Sequence, residues 1–193
     1  MPSRRYRAVV IGASLGGFHA LRTLFAVLHG RFPWPVIAVL HTATEDVSDM
    51  AQLYAARTPL NVSEAPERVA PQAGNVYLAP GGMHLLIETD GRFAFSTEAR
   101  VNFSRPSIDV LFDSAADVYR SGLIGVVLTG ANDDGARGLS AIRSRGGLAI
   151  VQNPATAEAP SMPAAALDIA GADYVLDLEK VGPLLNRLAG LDA

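Results

Sequence analysis

Three times along this chain an apolar run of strand length breaks off abruptly into a polar turn. The first is Ala8-Val9-Val10-Ile11, which runs into Gly12-Ala13-Ser14-Leu15-Gly16-Gly17 and is followed from Phe18 to Leu28 by apolar residues at helical spacing. The second is Val36 to Leu40, ending at His41, and the third is Leu123 to Leu128, ending in Thr129-Gly130-Ala131-Asn132-Asp133-Asp134-Gly135. Continuous rather than alternating hydrophobicity marks strands buried on both faces, as in a parallel sheet. Strands that alternate with helices give the α/β class: a doubly wound, mostly parallel sheet with helices on both faces.

The other segments fit that plan. Val47, Met50, Leu53 and Tyr54 predict a helix over 46–57, with Thr44 or Glu45 near its cap. From Leu60 to Ser96 the pattern turns to short strands: 75–79 stops at Pro80-Gly81-Gly82, and 84–88 and 92–96 flank Thr89-Asp90-Gly91, a hairpin signal. We expect this antiparallel hairpin at one edge of the sheet. After a loop over 102–105, Pro106-Ser107 opens a helix whose apolar face carries Ile108, Leu111, Phe112 and Ala115. A helix over 136–145 stopped by Gly146-Gly147, a strand over 149–151, a helix over 161–169, a strand over 174–176 and a closing helix over 181–188, begun around Leu178, complete the order. No composition break divides them. The expectation is one domain over 1–193, with the irregular middle, Leu60 to Arg105, inserted at one edge.

Composition narrows the function. With 193 residues, 49% of them hydrophobic, the chain can bury a sizeable core. A net charge of −3 argues against nucleic acid or an anionic membrane surface as partner, and Arg4, Arg5 and Arg7 read as a solvated end. No apolar run reaches the roughly 18 residues of a membrane span, and no secretory signal pattern opens the chain. There are no cysteines, which excludes disulfides and thiolate chemistry and fits a cytoplasmic protein. Neither paired metal-ligand histidines nor a G-x-G-x-x-G or P-loop motif occurs, and the second strand ends in His41 where a dinucleotide binder places an acid. No metal or organic cofactor is expected.

In a parallel sheet the carboxyl ends of the strands form one rim, where such folds place their sites. Ser14, His41 and one of Asp133 or Asp134 each follow an apolar strand, so all three fall on that rim. A serine, a histidine and an aspartate are the parts of a hydrolytic triad: the imidazole takes the hydroxyl proton and the carboxylate fixes its tautomer. Main-chain N–H groups of the Ser14 to Gly17 turn or of the Gly130-Ala131 turn would hold the oxyanion, at about 3 kcal/mol for one donor. The plain alternatives are that Ser14 caps the helix after it and that Asp133-Asp134-Gly135 is a cap and turn. His19 and His29 fall within the first helix, at solvent-facing or packing positions, while His84 follows a glycine turn and can approach the rim.

These residues resemble the catalytic domain of the chemotaxis protein-glutamate methylesterases, the CheB family. Ile11-Gly12-Ala13-Ser14-x-Gly16-Gly17 is similar to its nucleophile turn and the strand ending in His41 to its histidine segment. Leu78 to Gly81 with His84, Arg105 to Phe112, Leu128-Thr129-Gly130 with Asp134-Gly135-Ala136, and Gln152-Asn153 through Met162-Pro163 resemble further family blocks in order. The resemblance implies a Ser14, His41, Asp134 triad that hydrolyses γ-glutamyl methyl esters of chemoreceptors, with glutamine deamidation in some members. Leu15, Gly16, Ala131 and Asn132 become oxyanion or pocket candidates, and His84 and Arg105 substrate-side candidates; for Arg105 a surface salt bridge is the plain reading. Three departures stand out: only Met1 to Tyr6 precede the first strand, where the family carries a receiver domain, Leu15 replaces a small hydroxyl residue, and Ala131-Asn132-Asp133 replaces a motif close to Met-Gly-Asn. A second reading is therefore a signalling or scaffold module of the same fold that acts with a separate receiver protein.

Overall fold

The structure, a computed structural model, describes residues 6–42 and 46–191. Thr44, Glu45, Arg4 and Arg5 lie outside the described residues. In chain order the elements are β1 (Ala8–Ala13), α1 (Gly17–Val27), β2 (Val36–Leu40), α2 (Ser48–Ala55), β3 (Asn61–Glu64), β4 (Asn75–Leu78), β5 (His84–Ile87) and β6 (Phe93–Ser96). They continue with α3 (Ile108–Tyr119), β7 (Leu123–Val127), α4 (Ala136–Ser144), β8 (Leu148–Gln152), α5 (Ser161–Ile169), β9 (Tyr174–Leu176) and α6 (Leu178–Leu188). Seven strands form one parallel sheet in the order β3-β4-β2-β1-β7-β8-β9.

The side-chain period of two splits each central strand between two cores. Val9, Ile11 and Ala13 of β1 pack with α1, α2 and α6, whereas Ala8 and Val10 face α3, α4 and α5. This is why the runs read as continuous hydrophobicity. The Asp90-Gly91 hairpin forms as β5–β6, a two-stranded sheet of its own, packing Leu85, Ile87 and Phe93 into the core beside α3. The middle segment is more than an insertion, because β3 and β4 belong to the main sheet. Strand β3 had no apolar run to reveal it: Asn61-Val62-Ser63-Glu64 is an edge strand with three exposed residues of four.

The chain leaves β1 toward β2 on one side and returns to β7 on the other, so β1 stands at the reversal of strand order, where open α/β sheets form their crevice. Helix α3 reaches that point because Gly12 has no side chain: an added Cβ would lie 2.4 Å from Cγ2 of Ile108, the first residue of α3. Gly12→Ala is therefore expected to cost about 1–3 kcal/mol in urea unfolding by overpacking. Combined with Ile108→Ala, the loss should be smaller than the sum of the two single losses, since the truncation makes room for the methyl; strict additivity would contradict this contact.

Candidate active site

The β1 end is stitched to its neighbours before the turn begins. Ser14 N donates to Thr129 O (2.9 Å), His41 N to Ala13 O (3.0 Å) and Thr129 Oγ1 to Leu15 O (2.9 Å). Gly17 N then donates to Ser14 O (2.7 Å), closing a tight turn through Gly16, whose φ of +76° is one that glycine adopts freely. Gly16 is the N-cap of α1, with no side-chain cap bond, so Ser14 does not cap the helix. Among the described residues the Ser14 hydroxyl makes no hydrogen bond, and neither the Leu15 nor the Gly16 N–H donates one. A hydroxyl and two neighbouring donors therefore share the turn at the start of a helix, where negative charge is favoured.

One residue beyond the last register pair, Ala13↔Leu40, stands His41. Its Nε2 lies 2.8 Å from Oδ2 of Asp134, which is wholly buried in the turn that leads into α4. Asp133 is exposed, and its carbonyl accepts Ala136 N. Asp134 meets an unusual number of donors. Oδ2 accepts Ile108 N (2.7 Å) besides His41, and Oδ1 accepts Ser107 Oγ (2.8 Å), Asn102 Nδ2 (3.0 Å) and Asp109 N (3.1 Å). Burial is the largest single influence on this carboxyl and opposes ionisation. The hydrogen bonds from His41, Ile108, Asp109 and Ser107 together outweigh it and hold the group below the ordinary carboxylate range. An ionised carboxylate only accepts, so Nε2 is a ring nitrogen that carries a proton, directed at Asp134. Ser104 Oγ and Asn132 Nδ2 each stand 3.5 Å from Nδ1, at the far limit of a hydrogen bond.

Asp109, in the first turn of α3, mirrors Asp134. Its Oδ1 accepts Gly135 N (2.9 Å) and Gly138 N (2.7 Å) at the start of α4, while Asp134 accepts the first N–H groups of α3. Each carboxylate thus caps the other's helix. Burial pushes the Asp109 carboxyl up, and the nearby Asp134 charge adds to the rise against the bonds from Gly138, Asn102 and Gly135.

A cleft of ≈ 280 Å³ opens over His41, lined also by Thr42, Arg100, Phe103, Ser104 and Arg105. Arg105 forms no salt bridge among the described residues; its Nη1 donates to Thr97 O (2.8 Å) and Glu98 O (3.1 Å). At the Ser14 turn, Gly16 lines a second cleft of ≈ 370 Å³ with Thr129, Gln152 and Glu158. Leu15 is 58% exposed, Ala131 is exposed and Asn132 is half-buried. His84 corrects the expectation of a substrate-side group. It is buried, its Nε2 is bonded to Ala99 O (3.0 Å) and its Nδ1 accepts Ser107 N (3.2 Å), so both nitrogens are spent holding the loop before α3. His19 is exposed on α1 and bonded through Nδ1 to Arg22.

At the same sheet rim a strand-end hydroxyl and a histidine backed by a buried carboxylate follow neighbouring strands β1 and β2. Residues 9–185 match the family description CheB methylesterase. The chain belongs to the CheB methylesterase family. A Leptospira interrogans relative, whose name joins protein-glutamate methylesterase with protein-glutamine glutaminase, is 47% identical over 95% of each chain. The protein-glutamate methylesterase FrzG of Myxococcus xanthus is 37% identical over 96% of this chain and 56% of its own length. This chain thus spans about half of that longer CheB relative. The crystal structure of the Thermotoga maritima CheB methylesterase catalytic domain superimposes with a TM-score of 0.91 at 32% identity, covering 95% of this chain and 98% of that one. Ser14, His41 and Asp134 all fall inside the residues matched to the CheB family.

Sequence reasoning gave no role to Asn102, Ser104, Ser107 or Asp109. Ser107 reads only as part of the opening of its own helix, and Asp109 lies in that helix's first turn. Their actual partners lie on α4 and its preceding turn, beyond the reach of any local pattern.

Proposed function

We propose that this chain, acting as one catalytic unit over 1–193 in the cytoplasm, hydrolyses γ-methyl esters of glutamyl residues on chemoreceptors and deamidates glutaminyl residues there. The observation that carries this reading is the buried, ionised Asp134 holding the Nε2 proton of His41, which leaves Nδ1 as the base on the rim that Ser14 shares. His41 takes the Ser14 proton as Oγ attacks the ester carbonyl, and the negative oxygen that forms is met by the Leu15 and Gly16 N–H groups. Collapse of the tetrahedral adduct breaks the bond to methoxide, which leaves as methanol with the proton from His41. Water then attacks the Ser14 ester, giving its proton to His41; the bond to Ser14 breaks, the hydroxyl is restored, and the glutamate carboxylate is released. With glutamine the leaving group is ammonia. The names of the relatives supply both reactions.

Methanol release from a methyl-esterified chemoreceptor cytoplasmic fragment tests the reading. Release matched by loss of ester is expected; an unaltered ester content after prolonged incubation would overturn it.

The cleft also carries its own substrate contact. Phe103 is 96% exposed at φ +62°, a conformation uncommon for so large a side chain, on a loop closed by the Val101↔Ser104 bridge. Phe103→Ala is expected to raise KM for the receptor fragment by roughly tenfold through lost apolar contact, with kcat and melting temperature unchanged. An unchanged KM would remove Phe103 from the docking surface.

A further inference from the structure

The loop that carries Phe103 is tied to the buried carboxylates by one side chain. Asn102 Nδ2 donates to Asp109 Oδ2 (2.8 Å) and to Asp134 Oδ1 (3.0 Å), bridging two carboxylates that otherwise meet with like charge in a buried setting. Its backbone is left-handed, at φ +50°, so the residue reaches inward while Phe103 points out to solvent. Asparagine suits both demands: it tolerates that φ, and its amide nitrogen has two protons, one for each carboxylate. The other donors to the pair are backbone N–H groups from the starts of α3 and α4, together with Ser107 and His41. Asn102 is therefore the single cleft-loop side chain in contact with both aspartates among the described residues.

We propose that Asn102, seated by Asp109, is a positioning residue for catalysis: its amide holds Asp134 in the orientation that directs the His41 Nε2 proton. This rests on the triad reading given under Proposed function. Without the amide, Asp134 Oδ1 loses a donor, the two carboxylates face each other directly, and the imidazole is less firmly aimed.

The first test compares wild type with Asn102→Gly, since glycine keeps the left-handed backbone and removes only the amide. Loss of a hydrogen bond to a charged group predicts that kcat falls by roughly tenfold or more. KM should stay within about twofold, because Asn102 acts through Asp134 and not on the substrate. This is the reverse of the pattern expected for Phe103→Ala. Asn102→Asp, which swaps a donor for a third carboxylate at constant shape, should be slower still at neutral pH. The downfield proton resonance of the His41 Nε2–H, identified by its absence in Asp134→Asn, should shift or broaden in Asn102→Gly while the circular dichroism spectrum is unchanged. Unaltered kcat with an unmoved resonance, or Asn102→Asp as active as Asn102→Gly, overturns the proposal. A wild type that releases no methanol would instead overturn the methylesterase reading, and the resonance, which needs no turnover, would still decide for or against Asn102.

Discussion

Replacing Ser14 by alanine is expected to lower ester hydrolysis by roughly 10⁴-fold or more, as removal of a serine nucleophile does elsewhere. Stability should not change with it. The hydroxyl makes no hydrogen bond among the described residues, and the turn is held by main-chain bonds from Ser14 N to Thr129 O and from Gly17 N to Ser14 O, which alanine retains. Loss of activity with an unaltered unfolding curve separates a chemical role from a structural one. An alanine variant that keeps most of its rate would require another nucleophile on the rim. One that unfolds would return Ser14 to a structural part.

Asp134→Asn behaves differently, because this residue is both structural and chemical. The carboxylate accepts five donors: His41, Ser107, Asn102 and the N–H groups of Ile108 and Asp109. An amide offers one acceptor oxygen and turns an NH2 toward the remaining donors, so buried N–H groups at the start of α3 lose their partner. The expected loss of stability is about 2–4 kcal/mol in urea unfolding at neutral pH. Activity should fall by about 10⁴-fold, since the imidazole then favours the wrong tautomer. The stability difference also carries a pH signature. Because the folded carboxyl titrates below its ordinary value, the contribution of Asp134 is fully present above the unfolded carboxylate range, near about pH 4, and disappears as pH falls through the folded value. The gap between wild type and Asp134→Asn should therefore hold from neutral pH down to about pH 4 and narrow below it. Asp109, raised by burial, runs with the opposite sign, its contribution declining as pH rises out of the ordinary carboxylate range. A gap that stays constant below about pH 4 would mean that folding does not make the Asp134 carboxyl more acidic.

What could be read from the chain in advance follows a physical division. The buried strands were legible because both faces of a parallel sheet are covered, so β1, β2 and β7 announce themselves as continuous apolar runs. Their common rim then placed Ser14 and His41 near one another without any distance in hand. Local chemistry could not choose between Asp133 and Asp134. The resemblance did so; in the structure His41 Nε2 is bonded to Asp134 and Asp133 is exposed. Strand β3 was hidden because an exposed edge has no need of apolar residues. His84 was misplaced because nearness to a glycine turn says nothing of direction; the ring points inward, to Ser107 N and Ala99 O. The reciprocal capping of α3 and α4 by Asp134 and Asp109 was out of reach for a similar reason. The two helix starts meet where Ile108 approaches Gly135 and Phe112 approaches Gly138, contacts between segments that are distant in the chain.

The central claim is that Ser14 is a nucleophile activated by His41. Labelling of the wild-type protein with a serine-directed phosphonate, followed by peptide mapping, tests it most directly. One covalent adduct is expected, on the peptide that contains Ser14, and its near absence when His41 is replaced by alanine. An adduct on a different residue, or labelling of Ser14 at the same rate without His41, would contradict it.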